Sequence, residues 1–206
     1  MTKRVIQKGR SQNKRRKKNI ILIGVEGKNK TEKNYFTDLS KNRNKNYVVH
    51  YAKGNYTDPC GIVNSIIHSI KQEELDFENG DYAFCIFDTD VNKNKQKEID
   101  IAIKMAKDNN IEIIMSNPCF EVWFLQHFRY STKSYLTNEE VLKELNKHIP
   151  NYDKSKSYFD LLKDKLDVAL TNSKKLDAYY ENSKSNQDSL SKNPSTDVYK
   201  IVELFK

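Results

Sequence analysis

Runs of apolar residues and helical spacings alternate along the first two-thirds of the chain. Residues 19–25 (NIILIGV) are continuously aliphatic and suit a strand buried on both faces. A turn follows at 26–30, and from Thr31 onward Tyr35, Phe36 and Leu39 recur on one side of a predicted helix. Residues 47–51 (YVVHY) read as a second strand. Thr57-Asp58-Pro59 is a helix start, with a capping side chain before a proline, and Ile62, Ile66, Ile67 and Ile70 continue it at helical spacing. Residues 81–87 (DYAFCIF) form a third buried strand. A helix over 95–108 with Ile99, Ile103 and Ala106 inward comes next, then a fourth strand at 111–115 (IEIIM). Asn117-Pro118 breaks that strand, and residues 119–128 read as an aromatic-rich helix.

Strand–helix alternation of this kind predicts an α/β fold, a mostly parallel sheet flanked by helices. After Thr137 the pattern predicts no further strand. Helices are expected at 138–148, 158–170 and 173–185, a polar loop at 183–193, and a last helical segment at 194–205 opened by a Ser195/Thr196 cap. The division expected is a basic arm (1–18), an α/β domain (19–136) and a helical C-terminal extension packed on it (137–206). No internal repeat is visible, and no apolar stretch is long enough for a transmembrane helix.

Charge changes this picture in one place. The net charge is +8, from 36 basic and 28 acidic residues. Nine of the basic residues lie in positions 1–18, which hold no acid, leaving 27 basic and 28 acidic residues elsewhere. The basicity is therefore local. The arm, with Arg15, Arg16, Lys17 and Lys18 at its end, is either a salt-sensitive tether to phosphate backbones or a solubilising tail. It has no apolar region of the kind a secretory signal needs. Cys60, Cys85 and Cys119 lack metal-ligand spacing and sit in or beside apolar runs, so buried free thiols in a reducing cytoplasm are expected. The four histidines are scattered, without the pairing of a metal site.

Ligands of open α/β sheets bind beyond the carboxyl ends of the strands. Two strands here end in acids: the first in Glu26, the third in Asp88-Thr89-Asp90. Asp88 and Asp90 alternate with one residue between and point to one side of an extended chain. If the first and third strands are neighbours, three carboxylates converge. Such a hard-oxygen set suits Mg²⁺, with Mn²⁺ as a substitute. Each piece alone also reads as an ordinary capped turn. Gly24 to Lys28 is not a phosphate loop, because only two residues separate the glycines and Asn29 follows Lys28. Lys28 and Lys30 either steady a phosphate beside the metal or belong to a solvated loop. Glu121, inside an aromatic run after the fourth strand, either caps the helix it begins or is a fourth acid facing the metal.

Four stretches taken together, VEGKNKTEKNYF (25–36), FDTDVN (87–92), SNPCFEVWFLQHF (116–128) and NPSTDVYKIVELF (193–205), resemble the RloB family, which includes the AbiL-type abortive-infection component. The resemblance implies a Toprim-like fold and Mg²⁺-dependent action on phosphodiesters, as in topoisomerases, primases and overcoming-lysogenization-defect nucleases. Glu26 matches the Toprim glutamate, and Asp88 and Asp90 its DxD pair. Thr31, Glu32 and Glu121 match family positions of less defined role. The resemblance further implies a cytoplasmic effector of an anti-phage system, a nuclease on DNA or RNA, working with an AAA-type ATPase. The lack of a nucleotide-hydrolysis motif here fits that division. The alternative is a non-catalytic sensor or nucleic-acid-binding subunit of such a complex. A homo-oligomer stays open.

Overall fold

The aliphatic run after the arm forms strand β1 (Asn19–Val25), and its neighbours in space are the next two strands in sequence. The computed structural model describes residues 18–27, 30–43, 46–89, 96–182 and 191–206. Helix α1 (Lys30–Arg43) leads to β2 (Tyr47–Tyr51) and α2 (Pro59–Glu73) to β3 (Tyr82–Asp88). Helix α3 (Gln96–Lys107) leads to β4 (Glu112–Asn117). The helices α4 (Glu121–Gln126), α5 (Asn138–Leu145), α6 (Phe159–Leu162), α7 (Leu166–Asn182) and α8 (Val198–Glu203) complete the chain. With β5 (Ser195–Thr196) at one edge, the sheet order is β2-β1-β3-β4-β5, parallel in its first four strands.

Alternation along β1 divides the core in two. Ile21 and Ile23 face α1, α4 and the C-terminal helices, while Ile20 and Leu22 face α2 and α3. Gly24 lets α2 approach β1: a Cβ there would lie 2.5 Å from the Ile66 side chain. Helix α2 starts as its sequence dictates, with the Asp58 side chain accepting from Gly61 N at 2.7 Å and Pro59 in the first turn. The C-terminal helices share a hydrophobic core with the sheet: Leu162, Leu166, Leu170, Val198 and Ile201 pack in the same cluster as Phe84 and Ile114.

Several expectations are corrected. Strands do not end at 137. Ser195–Thr196 form β5, antiparallel to the end of β4, with the Ser116 and Thr196 hydroxyls 2.9 Å apart. Thr196 accepts from Val198 N at 3.4 Å, but the N-cap of α8 is Asp197, which makes no side-chain capping bond, so the expected Ser195/Thr196 cap gives way to the strand role. The break expected at 171–172 is absent, and α7 runs through it. Thr171 donates to Asp167 O at 2.8 Å along the helix, and Asn172 donates to Gln126 O on α4 at 2.8 Å, so these polar residues are satisfied without ending the helix. The segment 158–165 is instead α6 followed by a 3₁₀ turn (Lys163–Lys165). Helix α4 is also shorter than the 119–128 expected. Cys85 and Cys119 are buried free thiols as expected, but Cys60 is half-buried at the start of α2.

Candidate functional site

Parallel register aligns the carboxyl ends of three strands. Val25 lies opposite Ile86, and Asp88 opposite Ser116, so β1 and β3 are neighbours. Glu26 follows β1 directly. Gly27 then takes a left-handed φ of +48° and donates its N–H to Tyr56 O at 2.6 Å, which turns the chain into α1. Thr31 and Glu32, both buried, occupy the first turn of that helix. Asp88 is the last residue of β3. Its end is fixed on β4 by Thr89, whose N–H donates to Ser116 O at 2.9 Å. Glu121 begins α4, just past β4, and is 1% exposed.

These acids share one electrostatic field. Burial raises the Asp88 carboxyl well above the ordinary carboxylate range, and Glu32, Glu121 and Glu26 push it further, while Lys154 opposes them. Asp88 is half-buried as a residue, yet its Oδ1 is shielded from water and has no hydrogen-bond partner among the described residues. Glu121 is not a helix cap. Its Oε1 accepts from the Tyr152 hydroxyl at 3.0 Å and pairs with Lys154 Nζ at 3.2 Å, while its Oε2 is buried without a partner. The Cys119 thiol beside it is pushed far up by burial, then by Glu121 and Asp88, and stays protonated.

Tyr152 and Lys154 come from the loop between α5 and α6, and polar contacts clasp that loop to α1. Thr31 Oγ1 donates to Lys154 O at 3.0 Å, and Asn34 Nδ2 to Ser155 O at 3.1 Å. Ser157 Oγ donates to Asp38 Oδ2 at 2.6 Å. Lys30 is exposed at the first position of α1. It acts on this loop: the Asp153 carboxyl is lowered chiefly by the Ser155 backbone N–H and hydroxyl, with a smaller contribution from Lys30.

The structure thus brings Glu26, Asp88 and Glu121 together and adds Glu32, Tyr152 and Lys154. Asp90, Lys28, Arg15, Arg16 and Lys17 lie outside the described residues. Lys18 is exposed at the amino end of β1, roughly 25 Å along the strand from Glu26. Lys154 and Tyr152 had no signal in the sequence. They sit in a polar stretch without periodicity, and only the clasp to α1 delivers them. Glu32 had one, a Thr-Glu pair opening a helix after a glycine turn.

Among the described residues, no three His, Cys, Asp or Glu side chains are arranged to hold a metal ion. The donor chemistry nonetheless fits a hard divalent cation: two shielded carboxylate oxygens, Asp88 Oδ1 and Glu121 Oε2, have no partner. Not every marked motif belongs to this site. Asn193 accepts from Tyr135 N at 3.0 Å and donates to Tyr135 O at 2.7 Å. The 193–197 segment therefore anchors β5 and α8 rather than carrying chemistry.

The fold and site define an α/β protein with an acidic cluster at the carboxyl end of a mostly parallel sheet. The chain belongs to the RloB-like protein family, whose family model matches residues 21–205. No curated protein and no solved structure matches it. Among the described residues no helix is long and apolar enough to cross a membrane.

Proposed function

We propose that this protein is a Toprim-like, Mg²⁺-dependent nuclease, the cytoplasmic effector of an AbiL-type abortive-infection system that works beside an AAA-type ATPase. The observation that supports this reading is a shielded Asp88 oxygen, unpartnered among the described residues, on which the charges of Glu32, Glu121 and Glu26 act. Carboxylates forced together in this way raise one another's proton affinity and are costly unless a cation joins them. Asp88 and Asp90, with Glu26, would hold Mg²⁺ or Mn²⁺. When bound, the metal polarises a phosphoryl oxygen and makes water a nucleophile at neutral pH. Glu26 shares that ion or moves the proton of the attacking water. Lys28 and Lys30 would offer positive charge to the phosphate, and Glu121 is a fourth acid facing the metal. The basic arm with Arg15, Arg16, Lys17 and Lys18 would add salt-sensitive attraction to the nucleic-acid backbone.

The test is cleavage of single- and double-stranded DNA and of RNA in Mg²⁺ or Mn²⁺, with the ATPase partner present and absent. Wild-type cleavage that disappears in Glu26→Gln and Asp88→Asn is the expected result. Full activity in Asp88→Asn would overturn the site. Binding of nucleic acid without cleavage, even with the partner, would make the chain the sensor subunit instead.

A further inference from the structure

The carboxylate cluster already contains a cation, and it belongs to the chain. Lys154 Nζ lies 3.2 Å from Glu121 Oε1, and its charge also acts on Asp88. The two partners differ in access: the Glu121 side chain is 1% exposed and that of Lys154 is 50% exposed. The ammonium therefore caps the solvent side of a carboxylate that is itself out of water. A flexible four-carbon stem gives it a way out, because Lys is a compact, strongly hydrated point charge that returns to water readily. The backbone of Lys154 is held separately, its carbonyl accepting from Thr31, so the side chain can leave Glu121 while the loop stays clasped. Finally, one ammonium faces several acids and leaves Asp88 Oδ1 and Glu121 Oε2 without hydrogen-bond partners among the described residues.

From these observations we infer that Lys154 is the resident counter-ion of the acidic site, which a divalent cation must displace from Glu121 in order to bind. Lys154 is in this sense a positioning residue: it sets how tightly the site takes metal. The inference rests on reading the cluster as a divalent-cation site, but not on cleavage. Removing the ammonium leaves Glu121 buried and uncompensated, which destabilises the metal-free protein and strengthens its demand for another cation.

The experiment is calorimetric titration of Mg²⁺ and of Mn²⁺ into the full chain, with a parallel thermal melt. Wild type is compared with Lys154→Met, Lys154→Arg, Glu121→Gln and the Lys154→Met/Glu121→Gln double variant. Lys154→Met should bind metal about tenfold more tightly than wild type, the effect of one charge at this distance. It should melt lower without metal and recover most of the difference at saturation. Lys154→Arg keeps the charge and should stay near wild type. The double variant, which removes the pair together and spares the fold an unpaired charge, should show no gain over Glu121→Gln alone. Equal or weaker metal binding in Lys154→Met, a gain that persists in the double variant, or no binding in any variant would each overturn the inference. Nuclease failure is distinguishable: tighter binding in Lys154→Met without cleavage in any protein sinks the nuclease reading and keeps this one. Wild-type cleavage with unchanged affinity in Lys154→Met does the reverse.

Discussion

Strand β3 has an aspartate at each end, and the two are held in opposite ways. Asp81, at the amino end, spends both oxygens on backbone donors: Oδ1 accepts from Ile20 N at 2.7 Å and Oδ2 from Asp76 N at 2.8 Å. It staples β1 and the turn before β3 together, beside an open cleft of about 310 Å³ lined by Lys18, Asn19, Asp76 and Asn79. Asp88, at the carboxyl end, has a shielded oxygen with no donor and three acids pressing on it. The same residue type on the same strand is a structural staple at one end and an unmet demand at the other. A carboxylate satisfied by backbone amides has finished its work at folding. One kept short of partners retains capacity for a ligand.

The largest effects that test this contrast come from Asp88. Asp88→Asn should eliminate the proposed cleavage and yet stabilise the metal-free protein by about 1–2 kcal/mol, because a costly buried acid is replaced by a neutral amide. For a chain of this size that raises Tm by about 2–8 °C. A lower Tm in this variant would show that Asp88 is a staple like Asp81. His127 calibrates the interior between the ends. Burial lowers its imidazole from 6.5 to about 4, with Nδ1 donating to Trp123 O at 3.0 Å. The unfolded chain therefore takes up the proton first. Stability is full above pH 6.5 and falls as pH drops through about 4, by about 3 kcal/mol in total. Melting curves across that window should be flatter in His127→Asn, which keeps the hydrogen bond without the proton uptake.

Asp81→Ala should cost about 2 kcal/mol by leaving two backbone N–H groups unpaired, with activity per folded molecule unchanged. Denaturant titration beside an initial-rate assay separates the two quantities. If the rate per folded molecule falls, the amino end is no mere staple. The smallest effect belongs to Asn193→Ala, which removes both bonds to Tyr135 at the carboxyl end. A loss of about 1–2 kcal/mol with unchanged metal affinity would show that polar residues there divide into support and site.

Four of the five strands and the order of the first three helices were legible because their signals are local. Apolar runs, period, and the Asp58-Pro59 cap each sit within one element. β5 was not, because two residues carry no period. They become a strand only by pairing with Ser116 and Asn117, far away in sequence. The continuity of α7 was hidden for a similar reason: Thr171 and Asn172 look like breakers until Asp167 and Gln126 receive their donors. At the site, Glu26, Asp88 and Glu121 stood out because acids beside buried strand ends are expensive. Lys154 did not, since a lysine in a polar loop is ordinary until Thr31 and Asn34 fasten that loop over Glu121.

The late arrival of β5 has a consequence for how the protein is made. About eighty residues separate β4 from its antiparallel partner, so a ribosome takes several seconds to deliver the second after the first. Through that interval β4 is an open sheet edge able to pair with another chain, and the helices that share its core are still being added. Glu121 meanwhile waits for Lys154, so the acidic cluster is assembled before it is balanced. Chains stopped between these points would carry a sticky border and an uncompensated charge, and a nascent-chain chaperone should bind them in preference to the finished protein.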